Sequence, residues 1–83
     1  MDKSIYTSEY GVVVRLLREA RQRAGVTQVE LAKKLKQSQS FVSKCERGEC
    51  RLDLIQLRTV LEALGVRLVD FVSRLERELR PRS

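Results

Sequence analysis

The chain of 83 residues has no histidine, no tryptophan, a single proline and only two cysteines. Without histidine the most frequent general base and a principal metal ligand are missing. The two thiols, Cys45 and Cys50, cannot close a four-ligand zinc site by themselves. They are also too few for a disulfide scaffold. No metal or cofactor is therefore expected. No catalytic residue is assigned either, because no paired carboxylates mark a pocket, no glycine-rich loop can cradle phosphates, and the candidate nucleophiles lack a base. Aromatic residues make up 5% of the chain and are scattered as Tyr6, Tyr10, Phe41 and Phe71, which leaves no stacking platform for RNA. No apolar run approaches the ~20 residues that cross a bilayer, and the opening MDKSIYTSEY lacks the apolar stretch of a secretory signal. A cytoplasmic protein without membrane contact is expected.

What is present is helical periodicity. An apolar content of 42% supports one small domain with an aliphatic core. After an arm at residues 1–7, the first helix is expected from Ser8 to Ala24, with Val13, Leu17, Ala20 and Ala24 on one face. Gly25, Gly48 and Gly65 stand where helices should stop. Asp53 with Gln56 resembles a capping box that opens a fourth helix, whose apolar set is Leu54, Leu57, Val60, Leu61 and Leu64. A fifth helix is expected over 68–80, ahead of Pro81, with Leu68, Phe71, Val72, Leu75 and Leu79 as its apolar positions. No strand pattern, repeat or low-complexity linker interrupts this series, so the fold class is all-α with five short helices in a single domain over 8–80.

The informative segment is QVELAKKLKQSQSFVSKCERG. Leu31, Ala32 and Leu35 fall on one helical face, and Val42 with Cys45 repeats that spacing after a polar break at Lys36 to Gln39. Thr27 and Glu30 form a capping box for the first of these two helices, and Ser38 is placed to cap the second. Ala32 is small where the two helices must cross. Two short helices around a tight turn, over 28–47, form the pattern of a helix-turn-helix, in which the start of the second helix reaches base edges in the major groove. Gln39, Ser40 and Lys44 lie on the exposed face of that helix.

Charge follows the same segment. Arg15 to Arg51 hold ten Lys or Arg against four Glu, while the rest of the chain carries seven of each sign, so the whole net charge of +6 sits on the motif and its flanks. Such a patch supplies the salt-sensitive, sequence-independent part of DNA affinity. A run such as Lys33, Lys34 and Lys36 is by itself usually a solvated face.

RQRAGVTQVELAKKLKQSQSFVSKCERG and the following LRTVLEALGV resemble the Cro/C1-type helix-turn-helix family of phage and bacterial regulators, also called the XRE family, over residues 10–72. The resemblance implies a compact five-helix, lambda-repressor-like DNA-binding domain. It implies base contacts from Gln39, Ser40 and Lys44, with Ser43 and Phe41 nearby. It assigns phosphate contacts to Gln28 and Arg47, and adds Arg21, Ser38 and Arg51 to that set. It also implies a partly buried ion pair between Arg21 and Glu46, joining the first and third helices. Glutamine can bond adenine at N6 and N7 together, and lysine favours the paired acceptors of guanine. Two positions depart from the family. Lys36 stands in the turn where glycine is usual, at a cost of about 1 kcal/mol if φ is positive. Phe41 is a large ring among small or polar residues, suited either to a thymine methyl group or to packing between subunits.

Leu68, Val72, Leu75 and Leu79 are spaced by four, three and four residues, as in a packed helix seam. Because a single module reads few base pairs, a homodimer through the fifth helix on a palindromic operator is expected, assisted by Ile5 and Tyr6. The alternative folds Leu75 and Leu79 back on their own domain. Cys45 reads as a core position, where a thiol acts as a small hydrophobe, and Cys50 as the more reactive loop residue. The leading function is a sequence-specific transcriptional regulator on double-stranded DNA, a dimeric repressor or autoregulator, with activation through polymerase contact left open. The alternatives are an antitoxin-type adaptor that holds a partner protein and a restriction-modification controller.

Overall fold

The computed structural model describes residues 8–80, which form five helices: α1 Ser8–Arg23, α2 Gln28–Leu35, α3 Gln39–Glu46, α4 Leu54–Ala63 and α5 Leu68–Leu79. No strand occurs among the described residues. The expected arm at 1–7, with Ile5 and Tyr6, lies outside them.

Local chemistry sets the boundaries. Thr27 and Glu30 form the reciprocal capping box of α2: the Glu30 amide donates to Thr27 Oγ1 at 3.1 Å and the Thr27 amide donates to Glu30 Oε1 at 2.9 Å. Asp53 and Gln56 do the same for α4. Ser38 Oγ accepts the Phe41 amide at the start of α3. Each such cap stabilises a helix by ~1 kcal/mol. Gly25, Gly48 and Gly65 all take positive φ beyond helix ends, as expected. Lys36 is the only non-glycine residue among those described to do so, with φ 57°. It ends α2 in the left-handed conformation, and the Gln37 amide closes back onto the Ala32 carbonyl at 2.9 Å. The tightness of the motif's turn is thus obtained despite a Cβ clash of ~1 kcal/mol.

The core is aliphatic: Leu16 and Leu17 of α1, Leu31 and Ala32 of α2, Val42 of α3, and Val60 and Leu61 of α4 with Leu64 just beyond it, closed by Phe71 of α5. Leu61 is fully enclosed. Ala32 is buried in the α2–α3 pairing, where a larger side chain would force the motif helices apart. α1 packs on both α3 and α5, while α4 packs on α2 and α5.

Three expectations are corrected. Ala24 is exposed and lies past the end of α1; of the expected face, Leu17 is buried and Val13 and Ala20 pack against the core, and Tyr10, Val14 and Leu16 are buried beside them. That stripe is broader than the one expected because α3 and α5 both cover α1. Leu54 is 62% exposed, since the first turn of α4 projects beyond the core and only Leu57 onward reaches it. α5 ends at Leu79, with Arg80 extended, as the residue before a proline tends to be. The α5 seam is also divided. Leu68 and Leu75 pack against the chain's own core, Leu79 is half-buried and Val72 stays exposed. No helix among the described residues is long and apolar enough to cross a membrane.

Candidate nucleic-acid interface

α3 turns Val42, Cys45 and Glu46 inward, which leaves Gln39, Ser40 and Lys44 exposed and Ser43 half-buried on the outer face. Its first turn is fixed by the Ser38 cap, so Gln39 and Ser40 leave the backbone in defined directions. Phe41 is half-buried and packs against the core, beside Leu35 and Val60. It is therefore chiefly a spacer under α3, a third use beside the two that the sequence left open.

Beneath the outer face runs a chain of hydrogen bonds that the sequence did not reveal as a whole. Gln39 Nε2 donates to Gln28 Oε1 at 3.1 Å, and Gln28 Nε2 donates to Glu46 Oε1 at 3.0 Å. The Glu46 side chain is only 4% exposed and is neutralised by Arg21, whose Nε and Nη2 donate to its two oxygens. Arg21 Nη1 donates to the Val26 carbonyl, so every guanidinium nitrogen is engaged. Arg18 adds a bond from Nη2 to the Glu46 carbonyl at 3.0 Å. The expected Arg21 and Glu46 pair is present and joins α1 to α3. Gln28, assigned to a phosphate by resemblance, links that pair to the first residue of α3. Gln28 and Gln39 each open a motif helix, and that shared position was the available signal for their contact.

Arg47 is held differently. Its Nη1 donates to Ser43 Oγ at 2.6 Å, while Nε and Nη2 donate to the two oxygens of Glu49 at 2.9 and 3.2 Å. The hydrogen bond from Arg47 holds the exposed Glu49 carboxyl below its ordinary range. Ser38 spends its hydroxyl as an acceptor in the α3 cap. The Arg51 guanidinium lies over the Tyr10 ring, 4.7 Å from its centroid.

The basic residues of the α1–α5 side and of the motif differ in how they are matched. On the α1–α5 side, Arg15 and Arg74 are matched by Glu19 and Glu78. On the motif, Lys33, Lys34, Lys36 and Lys44 are exposed and carry no ion pair among the described residues. Arg23, Arg67, Arg77 and Arg80 are likewise exposed and outside these ion pairs, so the motif lysines form one free basic face and not the whole of the unmatched charge. No group of His, Cys, Asp and Glu among the described residues is arranged to hold a metal ion.

Comparison with known proteins agrees with this geometry. A family model described as a helix-turn-helix domain matches residues 13–75. No match was found among curated proteins. Among solved structures, an XRE-family like protein from Pseudomonas syringae pv. tomato str. DC3000 is 41% identical, with a TM-score of 0.82 over 88% of this chain and 89% of that one. The wild-type restriction-modification controller protein C.Esp1396I is 26% identical, with a TM-score of 0.80 over 89% of this chain and 96% of that one. The same controller as a tetramer in complex with its natural 35 base-pair operator matches with a TM-score of 0.79 and 26% identity, over 88% of this chain and 96% of that one. With a capped motif, a free basic face and this coverage, the chain belongs to the XRE family of helix-turn-helix DNA-binding transcriptional regulators.

Proposed function

We propose that the chain acts as a dimeric repressor or autoregulator that reads a palindromic operator with Gln39, Ser40 and Lys44. The observation that carries this reading is the hydrogen-bonded line from Arg21 through Glu46 and Gln28 to Gln39. It anchors the exposed start of α3 to the interior. A base-reading side chain held before binding loses less rotamer freedom on contact. Ser43 lies at the edge of this face, and Lys33, Lys34, Lys36 and Arg47 supply phosphate contacts around it. Gln28 orients Gln39 and can reach a phosphate only by loosening that line. Ser38, Arg21 and Arg51 serve the protein interior more than the duplex. No step of this reading calls on catalysis.

In this reading two copies bind half-sites one helical turn apart, about 34 Å. Val69 and Val72, 55% and 41% exposed on α5, offer the apolar contact between them, with Leu79 at its edge. Leu68 and Leu75 support that surface from below.

A random pool of duplexes, selected for binding to the purified protein, tests the proposal. A defined, two-fold symmetric sequence is expected. Gln39→Ala and Lys44→Ala should each lose preference at particular bases, by about 1–3 kcal/mol. Arg47→Ala should weaken all duplexes alike. Equal binding of every duplex at moderate salt rejects the proposal. The likeness to C.Esp1396I favours a second reading, control of a restriction-modification operon, for which a methyltransferase gene beside this one is the check.

A further inference from the structure

α5 runs antiparallel to α1, since Arg15 pairs with Glu78 at 2.7 Å and Arg74 with Glu19 at 3.5 Å. Beside that seam, bounded by the turn after α4, lies a cleft of about 410 Å³, within the ~300–1,000 Å³ usual for small-molecule sites. Leu16, Leu64 and Phe71 of the core close its floor, while Ala20, Ala24 and Val66 leave apolar wall open to solvent. Arg23, Asp70, Arg74 and Arg77 complete the lining with charge. Clefts of about 450 and 490 Å³ elsewhere on the surface each lack one of these properties. The first, at the α4–α5 turn, has no buried residue in its lining, and the arginines of the second, Arg15, Arg18 and Arg47, are all matched by carboxylates.

We propose that the α1–α5 cleft binds a small amphipathic carboxylate, an unbranched apolar chain ending in one carboxylate group. This site is independent of the DNA-reading role proposed above. The antiparallel register gives the cleft two unlike ends: Leu16 lies across from Arg77 at one, and Arg23 across from Asp70 at the other. From Asp70 to Arg77, α5 rises about 10 Å, the length of an extended chain of about eight carbons. Ala20 and Ala24 keep the α1 wall low along that length, and a large side chain at Ala24 would fill the cleft without entering the core, since Ala24 is exposed.

Charge sets the orientation. At the Arg77 end, Arg15, Arg74 and Arg77 stand with two carboxylates, Glu19 and Glu78, and Arg77 is the cation outside the ion pairs. One positive charge is left over, which suits a monoanion. Arg74 holds its glutamates only at 3.5 and 4.0 Å and donates no hydrogen bond among the described residues, so its N–H groups are available to a carboxylate. Guanidinium forks take such a group through paired, charge-assisted hydrogen bonds. At the far end Asp70 repels a negative group, and Arg23 across from it offsets that carboxylate. The head is therefore directed to Arg74 and Arg77, and the chain lies over Phe71 and Leu64 toward Val66.

Calorimetric titration of the full chain, free of DNA, with octanoate tests the site, with octanol, acetate and inorganic phosphate as the chain-only and anion-only probes. Octanoate should bind one to one with a Kd of about 1 mM or tighter, fair for a ligand of about ten non-hydrogen atoms. It should bind at least about tenfold tighter than any of the three controls and raise the unfolding temperature. Arg77→Gln, at an exposed position outside the ion pairs, should leave the unfolding temperature of the free protein unchanged and weaken octanoate about tenfold. Ala24→Trp should abolish binding, while Lys33→Gln on the motif should not alter it. Failure of octanoate to saturate by about 10 mM, octanol or phosphate binding as tightly, unchanged affinity in Arg77→Gln, or a loss in Lys33→Gln as large as in Arg77→Gln overturns the proposal. Because no duplex is present, none of these outcomes depends on whether the chain reads DNA.

Discussion

Replacing Arg21 with methionine removes the cation that neutralises Glu46 while keeping an unbranched side chain in its place. The Glu46 side chain is 4% exposed, and both its oxygens accept from Arg21. After the substitution the carboxylate keeps the Gln28 amide at 3.0 Å and the Arg18 Nε at 3.9 Å, from a side chain that is 49% exposed. The intact pair contributes little net stability, because desolvation of two ions offsets their attraction. Stranding one ion is different and costs roughly 3–5 kcal/mol in buried pairs. The residual partners place this case near the lower end, about 3 kcal/mol. In a domain of this size ~1 kcal/mol moves Tm by ~4–8 °C, so a fall of about 12–24 °C is expected. Urea and calorimetric unfolding measure it. Arg21→Met combined with Glu46→Leu should recover most of the loss, since it removes the stranded charge and leaves only the Gln28 amide, the Val26 carbonyl and the exposed Arg18 short of a partner. A single variant within ~1 kcal/mol of the parent, or a double variant no better than the single, refutes the reasoning.

Lys36→Gly should raise stability by about 0.5–1 kcal/mol in urea unfolding, because glycine accepts the φ of 57° without a Cβ clash; an unchanged or lower midpoint counts against strain there. Glu49→Gln frees Arg47 from its ion pair and takes a negative charge from beside the duplex. It should strengthen binding to all sequences alike and steepen the salt dependence by about one released ion, so weaker binding in an anisotropy titration would falsify this. Cys45 gives a pH signature. Its folded pKa, about 12, lies above the ~8.5 of a free thiol. Its ionisation therefore favours the unfolded chain: its contribution is fully present below that free value and is lost as pH rises toward the folded one. Unfolding midpoints from pH ~8 to ~10.5 should fall faster for the parent than for Cys45→Ala, and parallel curves reject the assignment.

Capping chemistry was the most legible part of the sequence. Thr27 with Glu30, Asp53 with Gln56, and Ser38 each satisfy amides within three residues of themselves, so spacing alone determines the contact. The stop at Gly25 and the left-handed Lys36 are local in the same sense. The lateral limits of burial were less legible. Ala24 and Leu54 continue an apolar period beyond the point where a neighbouring helix covers it, and periodicity carries no information on where the neighbour ends. Within the site, the Arg21 and Glu46 pair came from resemblance, whereas its continuation through Gln28 to Gln39 depends on how α2 and α3 cross. Glu49 was missed for another reason: it entered only as one of the four Glu between Arg15 and Arg51, and its two-oxygen pairing with Arg47 depends on the turn after α3.

The division of α5 bears on how a dimer could be controlled. A seam spaced four, three and four has the same pattern whether its partner is another copy or the rest of its own chain. Here α1 takes Leu68 and Leu75 into the shared core, and the ion pairs of Arg15 with Glu78 and Arg74 with Glu19 fasten α5 to α1. What remains on α5 for a second copy is Val69 and Val72, with half-buried Leu79 at their edge. Fully burying a valine contributes ~1.5 kcal/mol, so four of them across a two-fold axis supply about 6 kcal/mol at most. Association alone costs roughly 4–15 kcal/mol in lost translation and rotation. Two copies of the described domain are therefore poorly held by these valines alone, and in the proposed dimeric reading adjacent half-sites on one duplex would raise the local concentration of the second copy and help assemble the dimer. In that arrangement occupancy of the operator responds steeply to the amount of protein present.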